Sequence, residues 1–95
     1  MMPQDTMRLV TNAWTEITDG NVAAISFQNQ SGYSVYIRGT LGTTPPTGTA
    51  GIEYGPGQGE RNAALADLFP GVAGANRVWA RAAGAGSALV WVSNA

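Results

Sequence analysis

Few side chains in this sequence are equipped for chemistry. It has no His and no Cys, its five cations are all Arg, and its six acids are Asp5, Glu16, Asp19, Glu53, Glu60 and Asp67. Without His the commonest general base and metal ligand is missing; without Cys so are the strongest nucleophile, thiolate metal sites and disulfides. Glycoside hydrolysis needs only two carboxylates, and Glu53 with Glu60 is the pair that would have to meet in space. The acids otherwise scatter among turn-like stretches, so the sequence reads as non-enzymatic and without a cofactor. Three further motifs carry little. Gly55-x-Gly57-x-Gly59 lacks the strand–loop–helix setting and the Lys of a phosphate loop, and reads as a turn. Asn29-Gln30-Ser31 fits the glycosylation sequon, but no secretion signal accompanies it. Asp19 and Asn21 offer oxygen ligands for calcium, yet a type I′ turn at Asp19-Gly20 accounts for the same residues.

What remains is a concentration of aromatic and guanidinium groups near the C-terminus, where RVWARAAGAGSALVWV holds two of the three Trp and two of the five Arg. Two alternating runs, Asn76 to Ala83 and Ser87 to Ser93, predict a closing hairpin around Gly84-Ala85-Gly86. A three-residue loop puts Val78, Ala80 and Ala82 with Ala88, Val90 and Val92 on one aliphatic face. Arg77, Trp79, Arg81, Leu89, Trp91 and Ser93 then share the other, with Trp79 across from Trp91. A two-residue loop, Ala85-Gly86, turns the second strand over and sends Trp91 into the core. The first register gives the better-matched core face. Trp79 is then either core, with arginines running past it, or the centre of a contact, because Trp, Tyr and Arg dominate interface hot spots. With Tyr36 and Arg38 outward on a neighbouring strand, the candidate interface is Tyr36, Arg38, Arg77, Trp79, Arg81, Leu89 and Trp91. The alternative is a carbohydrate-binding platform of Trp79, Trp91 and Tyr36, with Arg77, Arg81 and Ser93 beside the rings.

The elements that must position these groups are short. Met1 to Thr6 reads as a flexible arm, and residues 7–95 as one domain. Met7 to Val10 and Ala13 to Thr18 are strand candidates, and Asp19-Gly20 predicts a hairpin turn. Val22 to Gln28 alternates, with Ala24, Ser26 and Gln28 on one side and Ala23, Ile25 and Phe27 on the other; after an Asn29–Gly32 turn Tyr33 to Arg38 resumes, with Tyr33, Val35 and Ile37 inward. Gly39 to Gly59 is rich in Gly, Pro and Thr, with a short strand within Thr49 to Tyr54. Asn62 is the expected N-cap of a short helix through Leu68, stopped by Pro70-Gly71. Six to eight short strands without a long helical period predict an all-β antiparallel sandwich or small barrel with at most one helical turn. Charged residues make up 12% of the chain, about half the usual ~25%, which hints that part of the surface is covered in an assembly. A net charge of −1 argues against nucleic acid as a partner, and no apolar run suits a membrane span or signal peptide.

Several stretches together resemble small all-β virion proteins of tailed bacteriophages. They are Phe27-Gln28-Asn29-Gln30-Ser31, Val35-Tyr36-Ile37-Arg38-Gly39, Gly51-Ile52-Glu53-Tyr54-Gly55-Pro56-Gly57, Val78-Trp79-Ala80 and Leu89-Val90-Trp91-Val92. The resemblance spans Val22 to Val92 and rests on strands and turns. It implies a capsid decoration (cement) protein, or a head-fibre or tail component, made in the host cytoplasm and resident in the virion. The implied partners are the major capsid protein or other virion proteins, with copies arrayed as an oligomer or lattice. It assigns no site residue, since such proteins act through surfaces.

Overall fold

A computed structural model describes residues 4–84 and 86–94. In chain order the elements are β1 (Gln4–Val10), β2 (Thr15–Glu16), β3 (Ala24–Asn29), β4 (Val35–Thr40), β5 (Ile52–Tyr54), β6 (Gly59–Ala64), α1 (Leu65–Leu68), β7 (Arg77–Ala82) and β8 (Ala88–Asn94). The strands form two four-stranded antiparallel sheets, ordered β1-β8-β3-β6 and β2-β7-β4-β5. The fold is therefore the expected all-β sandwich with one helical turn.

The core is built by period-2 alternation. Ile25 and Phe27 of β3, Val35 and Ile37 of β4, Val78, Ala80 and Ala82 of β7, and Ala88, Val90 and Val92 of β8 all join the buried cluster. Residues between them face outward, as side chains alternate across a strand. Gly39 is needed on β4 because a Cβ there would overlap the Phe69 ring, which closes one end of the sandwich. At the other end Asn29, fully buried, holds the corner between sheets. Its Nδ2 donates to the Tyr33 carbonyl at 2.6 Å and the Tyr54 carbonyl at 3.1 Å, while its Oδ1 accepts from the Ser31 amide and hydroxyl. The Asn-x-Ser sequon is thus a corner clamp with no accessible amide.

Strand pairing differs from the sequence expectation in a consistent way. Among the described residues the only consecutive strands that pair are β4 and β5. The expected closing hairpin does not form: β7 lies in one sheet and β8 in the other, and Ala85 of its loop lies outside the described residues. Both strands do turn their small aliphatic residues inward, but these meet across the core instead of side by side. Neither loop register applies, and Trp79 and Trp91 are not a cross-strand pair. Likewise β3 and β4 belong to different sheets, so Asn29–Gly32 is a crossover, and Tyr33 is 60% exposed instead of inward. Asp19-Gly20 is not a type I′ turn, because neither residue has the positive φ that turn requires. It too joins opposite sheets.

Two further boundaries move. Gln4, Asp5 and Thr6 belong to β1 instead of a flexible arm, while residues 1–3 lie outside the described range. Gln4 is buried; its Nε2 donates to the Ile17 carbonyl at 2.9 Å and its Oε1 accepts from the Asp19 amide at 3.1 Å. Asn62 does not cap the helix: it sits within β6 at φ 43°, and α1 has Ala64 at its N-cap without a side-chain bond.

Candidate functional site

The seven candidate residues divide between the two outer faces of the sandwich. Tyr36 and Arg38 on β4 and Arg77, Trp79 and Arg81 on β7 project from the second sheet, whereas Leu89 and Trp91 on β8 project from the first. The three-ring platform of Trp79, Trp91 and Tyr36 therefore does not exist.

On the second sheet the register lays out two rows. Glu16, Trp79 and Arg38 are neighbours across β2, β7 and β4, and Arg81 lies opposite Tyr36. The Arg81 guanidinium carbon stands 4.5 Å from the Tyr36 ring centroid and 5.7 Å from that of Trp14, a cation held between two π faces. The same guanidinium donates twice to the Thr49 carbonyl, at 3.0 and 2.6 Å. Arg38 donates to the Thr47 carbonyl at 2.8 Å and the Trp14 indole to the Gly48 carbonyl at 2.8 Å. Three consecutive carbonyls of the Thr- and Pro-rich loop are thus drawn across this face by side chains of β4, β7 and the segment before β2. Arg77 is spent as well, pairing with Glu16 at 2.8 Å and donating to Asn21 at 2.9 Å.

Trp79 answers both sequence readings in the same way. It is 6% exposed and so no free contact, yet it lies outside the apolar core cluster, on the opposite side of β7 from Val78 and Ala80. Its indole N–H donates to the Thr40 hydroxyl at 2.8 Å. It is thus buried on the outer side of β7, beside its register neighbours Glu16 and Arg38.

The first sheet presents a different outer face. Register pairs Met7 with Trp91 and Leu9 with Leu89 on β1 and β8. Met7 is 44% exposed, Leu9 62% and Leu89 43%, giving a contiguous apolar band with a half-buried Trp at its inner border. The Trp91 indole donates to Asp5 at 2.9 Å, which fixes the ring's rotation. Beyond Trp91, towards β3 and β6, lies a shallow groove of about 570 Å³ lined in part by Ser26, Gln28, Gly59 and Arg61. Sequence reasoning found Leu89 and Trp91 but missed Met7 and Leu9. Their exposure depends on the pairing of β1 with β8, strands at opposite ends of the chain.

The two acids considered for catalysis stay in separate sheets. Glu53 on β5 stands opposite Tyr36, whereas Glu60 on β6 accepts the Tyr54 hydroxyl at 3.0 Å. Burial and that carboxylate together push the Tyr54 phenol well above its ordinary pKa. Among the described residues no three of His, Cys, Asp or Glu gather into a group able to hold a metal ion, and no helix is long and apolar enough to cross a membrane. Comparison with protein-family models, curated proteins and solved structures found no match to the chain.

Proposed function

We propose that this chain is a non-enzymatic structural protein of a tailed-phage virion, a capsid decoration protein that docks on the major capsid shell through the β1–β8 edge of its first sheet, on the side away from β3 and β6. The observation that carries the reading is the exposed band of Met7, Leu9 and Leu89 beside Trp91. Large apolar side chains in contact on paired strands mark a surface meant to be covered. The virion assignment rests on the resemblance of the strand and turn pattern from Val22 to Val92.

Magnitudes explain why such a protein would work as a lattice. Fully burying a Leu or Met is worth about 1.5–3 kcal/mol, and these three are roughly half exposed, so covering them gains on the order of 3 kcal/mol. Losing translational and rotational freedom costs about 4–15 kcal/mol. The band alone does not hold one isolated copy, and neighbouring copies on a shell must supply avidity.

The test is quantitative mass spectrometry of purified particles of the encoding phage, with re-binding of purified protein to stripped shells. Hundreds of copies per particle support decoration, a dozen or fewer point to a vertex, fibre or tail part, and none overturns the virion reading. Replacing Leu9 and Leu89 by Glu should abolish re-binding of a folded protein; unimpaired re-binding would move the docking face elsewhere.

A further inference from the structure

We infer that the groove beside Trp91 is a binding site for a saccharide, separate from the apolar band and independent of shell docking. Four features of the outer face of the first sheet point there. One wall is the half-buried indole of Trp91, its rotation fixed by the bond to Asp5. The floor carries Gln28, opposite Trp91 on one side and Gly59 on the other. Its amide is held in place, since Nε2 donates to the Gly57 carbonyl at 3.0 Å and Oε1 accepts from Gln30 at 2.9 Å. Each of those amide atoms keeps one free hydrogen-bonding position for a ligand.

Gly59 keeps the floor open. A Cβ there would overlap the Phe27 carbonyl, so β3 and β6 approach closely with no side chain standing over Gln28. The far wall is a β-bulge. Two residues, Arg61 and Asn62, oppose the single Ser26, between the Ile25–Ala63 and Phe27–Glu60 pairs. Asn62 adopts φ 43°, and its amide donates to the Ser26 hydroxyl at 2.8 Å. Bulges of this kind re-aim a side chain, and a left-handed non-glycine residue beside a groove is local strain of the sort that gathers at binding sites. The side chain re-aimed is Arg61, which is exposed and lines the groove. Arg8 and Arg77 sit in ion pairs, and Arg38 and Arg81 serve loop carbonyls. Among the described residues Arg61 is thus the cation left without such an engagement.

An aromatic wall, a fixed amide and an uncommitted guanidinium suit a pyranose. The ring's C–H face rests on an indole, and its hydroxyls, or a carboxylate in an acidic sugar, meet the amide and the Arg fork. Strands lie about 4.8 Å apart, so β8 to β6 spans about 10 Å, room for a ring or two. Apolar side chains alone would not select such a ligand; fixed polar groups beside the ring do.

The experiment is a two-dimensional amide NMR titration of the full chain with cellobiose, chitobiose and digalacturonate at millimolar concentration. Binding should shift the Trp91 indole N–H and the Gln28 side-chain amide, leaving Trp79 unmoved. Arg61→Ala, an exposed substitution, should weaken binding by about tenfold, the loss of one good polar contact. Preference for digalacturonate would mark an acidic sugar as the ligand, preference for cellobiose or chitobiose a neutral one; either supports the site. No shift at Trp91 with any of the three overturns the inference, as do shifts that survive Arg61→Ala and Gln28→Ala unchanged. Groove signals silent to sugars but masked on stripped shells would also overturn it, assigning the groove to the protein contact. Because the titration uses free protein, its failure leaves the shell reading standing, and the reverse holds too.

Discussion

The two outer faces of this sandwich each place a Trp mid-strand with its indole N–H satisfied, Trp79 by Thr40 and Trp91 by Asp5. One is buried and the other only half so. The difference lies in what each face has available to cover it. Behind the second sheet, the long loop between β4 and β5 carries carbonyls that no strand pairs. Arg38, Arg81 and Trp14 donate to three of them, at Thr47, Thr49 and Gly48, and so tie the loop to the sheet. Among the described residues no such loop covers Met7, Leu9 and Leu89. On the second sheet the guanidinium and indole groups are engaged by the chain itself. They signal a surface needing a lid, and here the chain supplies one lid and leaves the other face open.

The largest effect should come from Trp79→Ala. Emptying a buried Trp site costs about 3–5 kcal/mol, a large share of the 5–15 kcal/mol that typically holds a small domain together. Urea unfolding should show a much lower midpoint, while Trp91→Ala, half-buried on the open face, should lose about half as much. Equal losses from the two would erase the distinction between a closed and an open face. Next in size is Arg81→Lys, which keeps the charge but not the fork. A bond from a charged donor is worth about 1.5–3 kcal/mol, and lysine cannot reproduce the planar stack between Tyr36 and Trp14. The expected loss is about 1–2 kcal/mol, with faster backbone motion at Thr47–Ala50 in nitrogen relaxation. A loop that stays rigid would mean Arg38 and Trp14 hold it unaided.

The seam between the sheets should respond to alkali. Tyr54 of the second sheet donates to Glu60 of the first, and its phenol is raised above the ordinary value near 10. Above pH 10 the unfolded chain releases that proton while the folded chain retains it. The unfolded state then binds fewer protons, so stability falls as pH rises, and is undiminished below pH 10. Tyr54→Phe should flatten this alkaline decline and cost about 1 kcal/mol at neutral pH for the lost hydrogen bond. An unchanged alkaline slope in the Phe variant would place the titration elsewhere.

The sequence was legible in faces and opaque in partners. Alternation separated the two sides of β3 and identified the inward residues of β7 and β8, because period 2 is local and one buried face enforces it. It could not say which sheet each strand joins: Val78, Ala80 and Ala82 fit Ala88, Val90 and Val92 equally well beside them or across a core. Hairpin logic then assigned neighbours in sequence as neighbours in space, while the chain crosses between sheets at nearly every turn. The cue was Asn29, a polar residue at an inward position of β3. A buried amide binding carbonyls from two later segments is what a corner requires and a flat hairpin does not. β6 was missed because Gly59–Ala64 has no alternation, its bulge spoiling the period, and Asn62 resembles a helix cap. Leu89 and Trp91 were found from their own strand. Met7 and Leu9 needed β1 to pair with β8, a contact between the chain's two ends.

The smallest expected effect on stability is also the most informative for the open face. Leu89→Glu replaces a side chain 43% exposed, and surface substitutions of this kind usually change stability by no more than about 0.5 kcal/mol. Leu9, its cross-strand partner, would then face a carboxylate across a solvated pair, which a strand tolerates. Unfolding midpoints of the variant and the parent should nearly coincide. If they do and shell binding is lost, the band is there to be covered by another molecule, since nothing in the folded monomer depends on it. If instead the domain is strongly destabilised, Leu89 is packed more tightly than its exposure implies. The first sheet would then be a second closed face, and the contrast with the loop-covered sheet would fail.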